Sequence, residues 1–198
     1  MYIKYYKQLL SAIDEEINFK DASYSPIEIW GYNDLSRIKV SKEIIEYFNE
    51  IHNVMLIDEQ KKYAISRKDV FNSYPKNDSY IEIISFFLTV LVWGYPNGGR
   101  GKNINNIINS KQQIIKQYHF IKENKSNLGL DEVYQRLNKG NLKIKGMGPS
   151  TFTKILYFMD FKDKNGVTAL IFDNIMENVI NSRRFFEINE ELEEKDIN

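Results

Sequence analysis

The sequence predicts a mainly α-helical protein organised around a helix-hairpin-helix, and three observations predict it. The run Gly146-Met147-Gly148-Pro149-Ser150-Thr151 has the punctuation of two helices joined by a tight turn. Apolar stripes at intervals of three and four residues recur along the chain, the period of a helix buried on one face. Strand signals are sparse: Tyr63-Ala64-Ile65-Ser66 is the best short candidate, and it is weak.

From the N-terminus, Tyr2, Tyr5, Tyr6, Leu9, Leu10 and Ile13 fall on one helical stripe, while Ser25-Pro26 and Trp30-Gly31 read as turns. Ser41 is expected to cap a helix whose Ile44, Ile45, Phe48 and Ile51 form an apolar face. Residues 1–75 thus read as a helical or mixed partner layer with no evident chemistry. Turn formers accumulate from Ser73 through Pro75 to Ser79 and mark a boundary. Beyond it lie an expected core of residues 76–186 and an acidic tail, 187–198. Residues 83–93, apolar apart from Ser85 and Thr89, form a run too short to span a bilayer and read as a buried helix. A glycine-rich loop follows, residues 93–102. Residues 103–118 are expected to form one helix with Ile104, Ile107, Ile108, Ile114 and Ile115 inward, and Asp131 to open another that ends near Gly140.

In the hairpin, two glycines one residue apart allow positive φ and close approach to another surface. Pro149 suits the first helical position, where a missing N–H costs nothing. Phe152, Ile155, Leu156 and Met159 would bury one face of the second helix, with Ser150, Lys154 and Tyr157 on or near another. Residues 162–166 then read as a turn, and 167–172 as an extended segment through the core. Asp173 stands where an N-cap belongs, before a helical stretch 174–184 with Ile175, Met176, Val179 and Ile180 apolar.

Composition removes several classes of function. The chain has no cysteine, which excludes disulfides, thiolate zinc sites and cysteine-ligated iron–sulfur clusters. His52 and His119 have no partner at metal spacing and read as packing or surface histidines, so neither metal nor cofactor is expected. The first ten residues are too broken by lysine for a signal peptide. A cytoplasmic monomer with no membrane segment is expected.

The formal net charge is zero, but it is unevenly spread. Residues 97–154 hold eleven Lys and Arg against three Asp and Glu, an excess of eight positive charges that the rest of the chain must balance. A block that basic, ending in a turn that aims backbone N–H groups from a helix start, suits a phosphate backbone; a solvated lysine-rich surface is the plainer alternative. Lys143 and Lys145 read as phosphate contacts. In the glycine-rich loop, Trp93 and Tyr95 could stack on a nucleotide while Arg100 and Lys102 meet its phosphates, or the segment is a simple connection.

A hairpin LxIxGMGPST followed by an apolar run and a lone aspartate opening a helix resembles the helix-hairpin-helix DNA glycosylases, and among them the 8-oxoguanine glycosylase-fold branch. The resemblance covers roughly residues 80–185. It implies that double-stranded DNA is the partner, that Gly146, Gly148 and the N–H groups near Ser150 and Thr151 hold phosphate, and that the target nucleotide is flipped into a pocket. It also implies that Asp173 is the catalytic carboxylate. The chemistry suits that residue type, because breaking an N-glycosidic bond builds positive charge on the sugar and a fixed carboxylate lowers that barrier; an aspartate at an N-cap also needs no catalytic explanation. Strand-cutting members carry a lysine two residues after the second glycine, and here that position is Ser150. Base removal leaving an abasic site is the implied reaction. Lys154, one helical turn on, is either a substitute nucleophile giving lyase activity or a residue that contacts phosphate or solvent. Trp93, Tyr95, Tyr157 or Phe158 would stack on the flipped base, and Asn103 or Asn105 would fill the gap it leaves.

The base is open between oxidised guanine and another modified base, including the hypermodified bases of phage DNA, which would make the protein an antiviral factor rather than a repair enzyme. Two rival readings are a non-catalytic helix-hairpin-helix module that holds DNA for a repair or nuclease complex, and a protein-interaction domain with incidental lysines.

Overall fold

The computed structural model describes residues 28–31, 40–52, 54–57, 60–95 and 103–172. Their centre is a helix, α3 (Tyr80–Gly94), in which every residue from Glu82 to Trp93 is buried. Its apolar residues therefore run all round, as expected of a helix enclosed by neighbours. It contacts α1 (Lys42–Ile51), α2 (Arg67–Asn72), α4 (Asn103–Asn109), α5 (Lys111–Glu123) and α7 (Pro149–Phe158). Its start is well determined. Ser79 and Glu82 form a reciprocal capping box, and Glu82 also takes the N–H and amide of Asn77 at 3.0 and 3.2 Å. Burial would raise the Glu82 carboxyl, but these donors bring it below the usual range.

A small antiparallel sheet lies against α3. Its strands β1 (Glu28–Gly31), β2 (Val54–Ile57) and β3 (Gln60–Ile65) lie in the order β1-β3-β2. Glu28 pairs with Ile65 at one end of the β1–β3 ladder and Ile57 with Gln60 at the close of the β2–β3 hairpin. The expected strand at Tyr63 is therefore the end of β3. Trp30-Gly31 is not a turn: both residues lie in β1, paired with Tyr63 and Lys62. The expected turn at Ser25-Pro26 and the stripe of residues 2–13 fall outside the described residues.

Ser41 stands at the N-cap of α1 but makes no side-chain cap bond; Ile44 and Phe48 are its buried residues. The single helix expected over 103–118 is two. Ser110 leaves helical geometry at ψ 43° and turns its hydroxyl back to the Asn106 carbonyl at 2.7 Å, and α5 restarts at Lys111. The apolar spacing runs on through the break because Ile107, Ile108 and Ile114 face one core. The next helix, α6 (Leu130–Asn138), begins at Leu130 behind Gly129, with Asp131 inside its first turn. After α7, Ala169 returns its N–H to the Phe161 carbonyl and Lys162 bridges Thr168, so the expected extended segment 167–172 pairs back on the chain at residues 168 and 169, with Ala169 buried.

Candidate active site

The hairpin between α6 and α7 is built by alternation. Leu142, Ile144 and Met147 are buried, while Lys143 and Lys145 between them are exposed. Apolar side chains thus fasten the turn to the core and leave its two lysines in solvent. From α5, the amide of Gln117 donates to the Leu142 carbonyl at 2.6 Å and that of Gln113 to the Asn141 carbonyl. The turn is held by its backbone as well as by its side chains.

Gly146 has φ +89°, a conformation that L side chains rarely adopt, and faces the first residue of α4. Gly148 differs: its backbone is extended, with φ −94° and ψ −179°, and open space lies where a Cβ would be. It is the N-cap of α7, and its carbonyl accepts the N–H groups of Thr151 and Phe152 at 2.9 and 3.1 Å. With Pro149 at the first helical position and the Thr151 and Phe152 N–H groups bonded to Gly148, the Ser150 N–H is the donor that this helix start keeps outside its own bonds, a few residues after exposed Lys143 and Lys145 in sequence. That geometry can receive an anion.

Along α7, Phe152, Ile155, Leu156 and Met159 are buried. Lys154 Nζ donates to the carbonyl and the hydroxyl oxygen of Ser150, at 3.1 and 3.0 Å. Its stem passes Gly94, where a Cβ would stand 3.0 Å from Lys154 Cδ. Thr151 is buried and shares a 2.7 Å hydrogen bond with the Tyr95 hydroxyl, so both side chains tie α7 to the end of α3. Thr153 Oγ1 donates to the Pro149 carbonyl and accepts the Phe172 N–H at 3.0 Å. Phe172 is the last described residue, and Asp173, Arg100 and Lys102 lie outside the described residues.

Three of the four aromatic candidates, Trp93, Tyr157 and Phe158, converge on one place, while Tyr95 is bonded to Thr151. Trp93 is buried and meets Phe158 edge-on with ring centroids 5.0 Å apart; Tyr157 meets Phe158 at 5.1 Å. Arg67 joins them from α2, a residue for which the sequence offered no local signal, because the contact spans ninety positions. Asn103 is exposed at the start of α4 beside the hairpin, and Asn105 is half-buried. His52 is a packing histidine, bonded to Thr89 at 2.8 Å and edge-on to Phe48.

Residues 39–195 match the family described as "Putative 8-oxoguanine DNA glycosylase OGG-like protein". The chain belongs to this family. A DNA glycosylase family acts on DNA. The glycosylase family's span begins at residue 39, well before residue 80, where the resemblance was first legible, so α1, β2, β3 and α2 fall within it. No curated protein and no solved structure matches the chain. Among the described residues no helix is long and apolar enough to cross a membrane.

Proposed function

We propose that the protein is a DNA N-glycosylase that flips a modified base out of double-stranded DNA and hydrolyses its glycosidic bond, leaving an abasic site. Gly146, Gly148 and the N–H groups around Ser150 take a DNA phosphate, with Lys143 and Lys145 alongside. Extrusion is needed because the reacting bond is hidden in the duplex. Asp173 is the carboxylate that faces the positive charge developing on the sugar. Lys154 acts as a cation.

The observation that carries this reading is the hydrogen bond from the Phe172 N–H to Thr153 Oγ1. It fastens the residue before Asp173 to α7, and Thr153 is the neighbour of Lys154 in sequence. Family membership supports the reaction class. The absence of a lysine at Ser150 favours simple base removal, and oxidised guanine is the first substrate to test, ahead of hypermodified phage bases.

The test is release of free base, read by mass spectrometry, from oxidised, alkylated, deaminated and phage-modified DNA, with wild type and Asp173→Asn in parallel. Release lost in the mutant while duplex binding persists is the expected result. Salt-dependent binding with no release from any pool would instead identify a DNA-holding module.

A further inference from the structure

Arg67, Trp93 and Tyr157 come from three helices and meet at one point. The Arg67 guanidinium carbon lies 5.6 Å from the centroid of the Trp93 ring and 5.5 Å from that of Tyr157, and Nη1 donates to the Tyr157 hydroxyl at 3.5 Å. The backbone under Arg67 is fixed. Ser66 and Asp69 form a reciprocal capping box, with the Ser66 N–H on Asp69 Oδ2 at 2.8 Å and the Asp69 N–H on Ser66 Oγ at 3.2 Å.

Two donors in this cluster, Arg67 Nε–H and Trp93 Nε1–H, are buried and meet no acceptor among the described residues. Buried donors are nearly always paired, so two together call for an acceptor from elsewhere. The cluster also adjoins the reacting face. Trp93 precedes Gly94, against which the Lys154 stem lies, and Tyr157 is one turn beyond Lys154 on α7.

We propose that Arg67, with Trp93 beside it, is the specificity determinant of the base pocket and donates to the carbonyl oxygens of the flipped base. This rests on the glycosylase reading. A guanidinium carries five N–H donors and no acceptor, and the indole N–H is a donor only. Such a pair matches an edge that presents a carbonyl oxygen, O6 of an oxopurine or O4 of uracil, and opposes the amino group that adenine carries at the same position as O6. Tyr157 supplies an aromatic surface for the base plane.

Binding separates this inference from catalysis. Full-length Asp173→Asn protein, alone and with Arg67→Met or Arg67→Lys, is titrated with duplexes that differ at one nucleotide: 8-oxoguanine, hypoxanthine, uracil, adenine or a tetrahydrofuran abasic analogue. A preference of about tenfold for at least one carbonyl-bearing base over adenine is expected, the scale of one hydrogen bond to a charged donor. Arg67→Met should erase it while affinity for the abasic duplex and the melting temperature hold. If Arg67→Met does not fold, Arg67→Lys decides: it keeps a cation over the rings but lacks the planar fork, so lost preference supports the inference and full preference overturns it. No preference in the Asp173→Asn protein, or an equal loss across all duplexes, would reduce Arg67 to a packing residue. If the preference depends on Arg67 but wild type releases no base, the catalytic reading fails and base recognition stands.

Discussion

A β-carbon on Gly146 would stand 3.2 Å from the carbonyl oxygen of Asn103 and 3.3 Å from its Cα, so the hairpin turn and the start of α4 touch backbone to backbone. Only glycine permits that approach together with φ +89°. The contact joins the hairpin turn to the residue that follows the glycine-rich loop.

The two hairpin glycines should therefore fail in different ways. Gly146→Ala forces a side chain into left-handed backbone and against Asn103, and about 1–2 kcal/mol of stability should be lost from the conformation alone. Gly148→Ala meets open space on an extended backbone, so its melting temperature should match wild type. Its added methyl stands where a phosphate would approach, and its DNA affinity should fall. Melting curves and duplex titrations on both variants check this; equal stability losses would mean that the two glycines share one role.

Lys154 should matter as a cation rather than as a nucleophile. Its amine already donates to two oxygens of Ser150, an arrangement that suits an ammonium and occupies the group that would attack the sugar. Lys154→Met is expected to slow base release by about tenfold or more, the scale of one lost charge-assisted interaction. Borohydride should trap no covalent complex with the wild type. A trapped adduct mapped to Lys154 would turn the assignment to a lyase.

The pattern of what was legible follows the range of the interactions. The buried helix α3, the hairpin and the apolar face of α7 were readable because periodicity, glycine spacing and a proline at the first helical position act within a few residues. Trp30-Gly31 has turn chemistry locally, yet pairing with Tyr63 and Lys62 makes it strand, an outcome fixed by residues thirty positions away. Apolar spacing continues across Ser110 although the helix does not, since two helices can line one core. In the candidate site, Lys154 and Ser150 were readable as neighbours one turn apart. Arg67 was not, because nothing near it in sequence announces Trp93 or Tyr157.

Gln117 is a test of how firmly the hairpin must be held. It is fully buried; its amide N–H serves the Leu142 carbonyl, while its own Oε1 has no partner among the described residues. Gln117→Leu would orphan the carbonyl but remove the unpaired oxygen, so the loss should sit near the lower end of the roughly 1–3 kcal/mol expected for an unsatisfied buried group. Gln117→Glu should be worse at neutral pH, because an ionised carboxylate has no proton to give. Its folded-state pKa would be raised, so stability would fall as pH increases. Thermal melts of both variants at acidic and neutral pH decide it. A pH-independent Glu variant would mean that water reaches this site.

His52 should give the fold an acid-sensitive component. The residue is 5% exposed, and burial pushes its pKa down to about 4, against a weaker opposing pull from Asp69. Thr89 spends its hydroxyl proton on the Ser85 carbonyl at 2.9 Å, so its oxygen accepts from His52 Nε2, which fixes the neutral tautomer with the proton on Nε2. The unfolded chain, with a histidine pKa of about 6.5, binds the proton more readily than the folded one. Stability attributable to this residue is therefore complete above that value and declines as pH falls from about 6.5 toward 4, by roughly 3 kcal/mol at most. Glutamine can offer Thr89 the same donor without titrating, so His52→Gln should flatten the dependence of urea midpoint on pH between about 6.5 and 5, above the range where carboxylates dominate. An unchanged slope in that variant would place the acid sensitivity elsewhere.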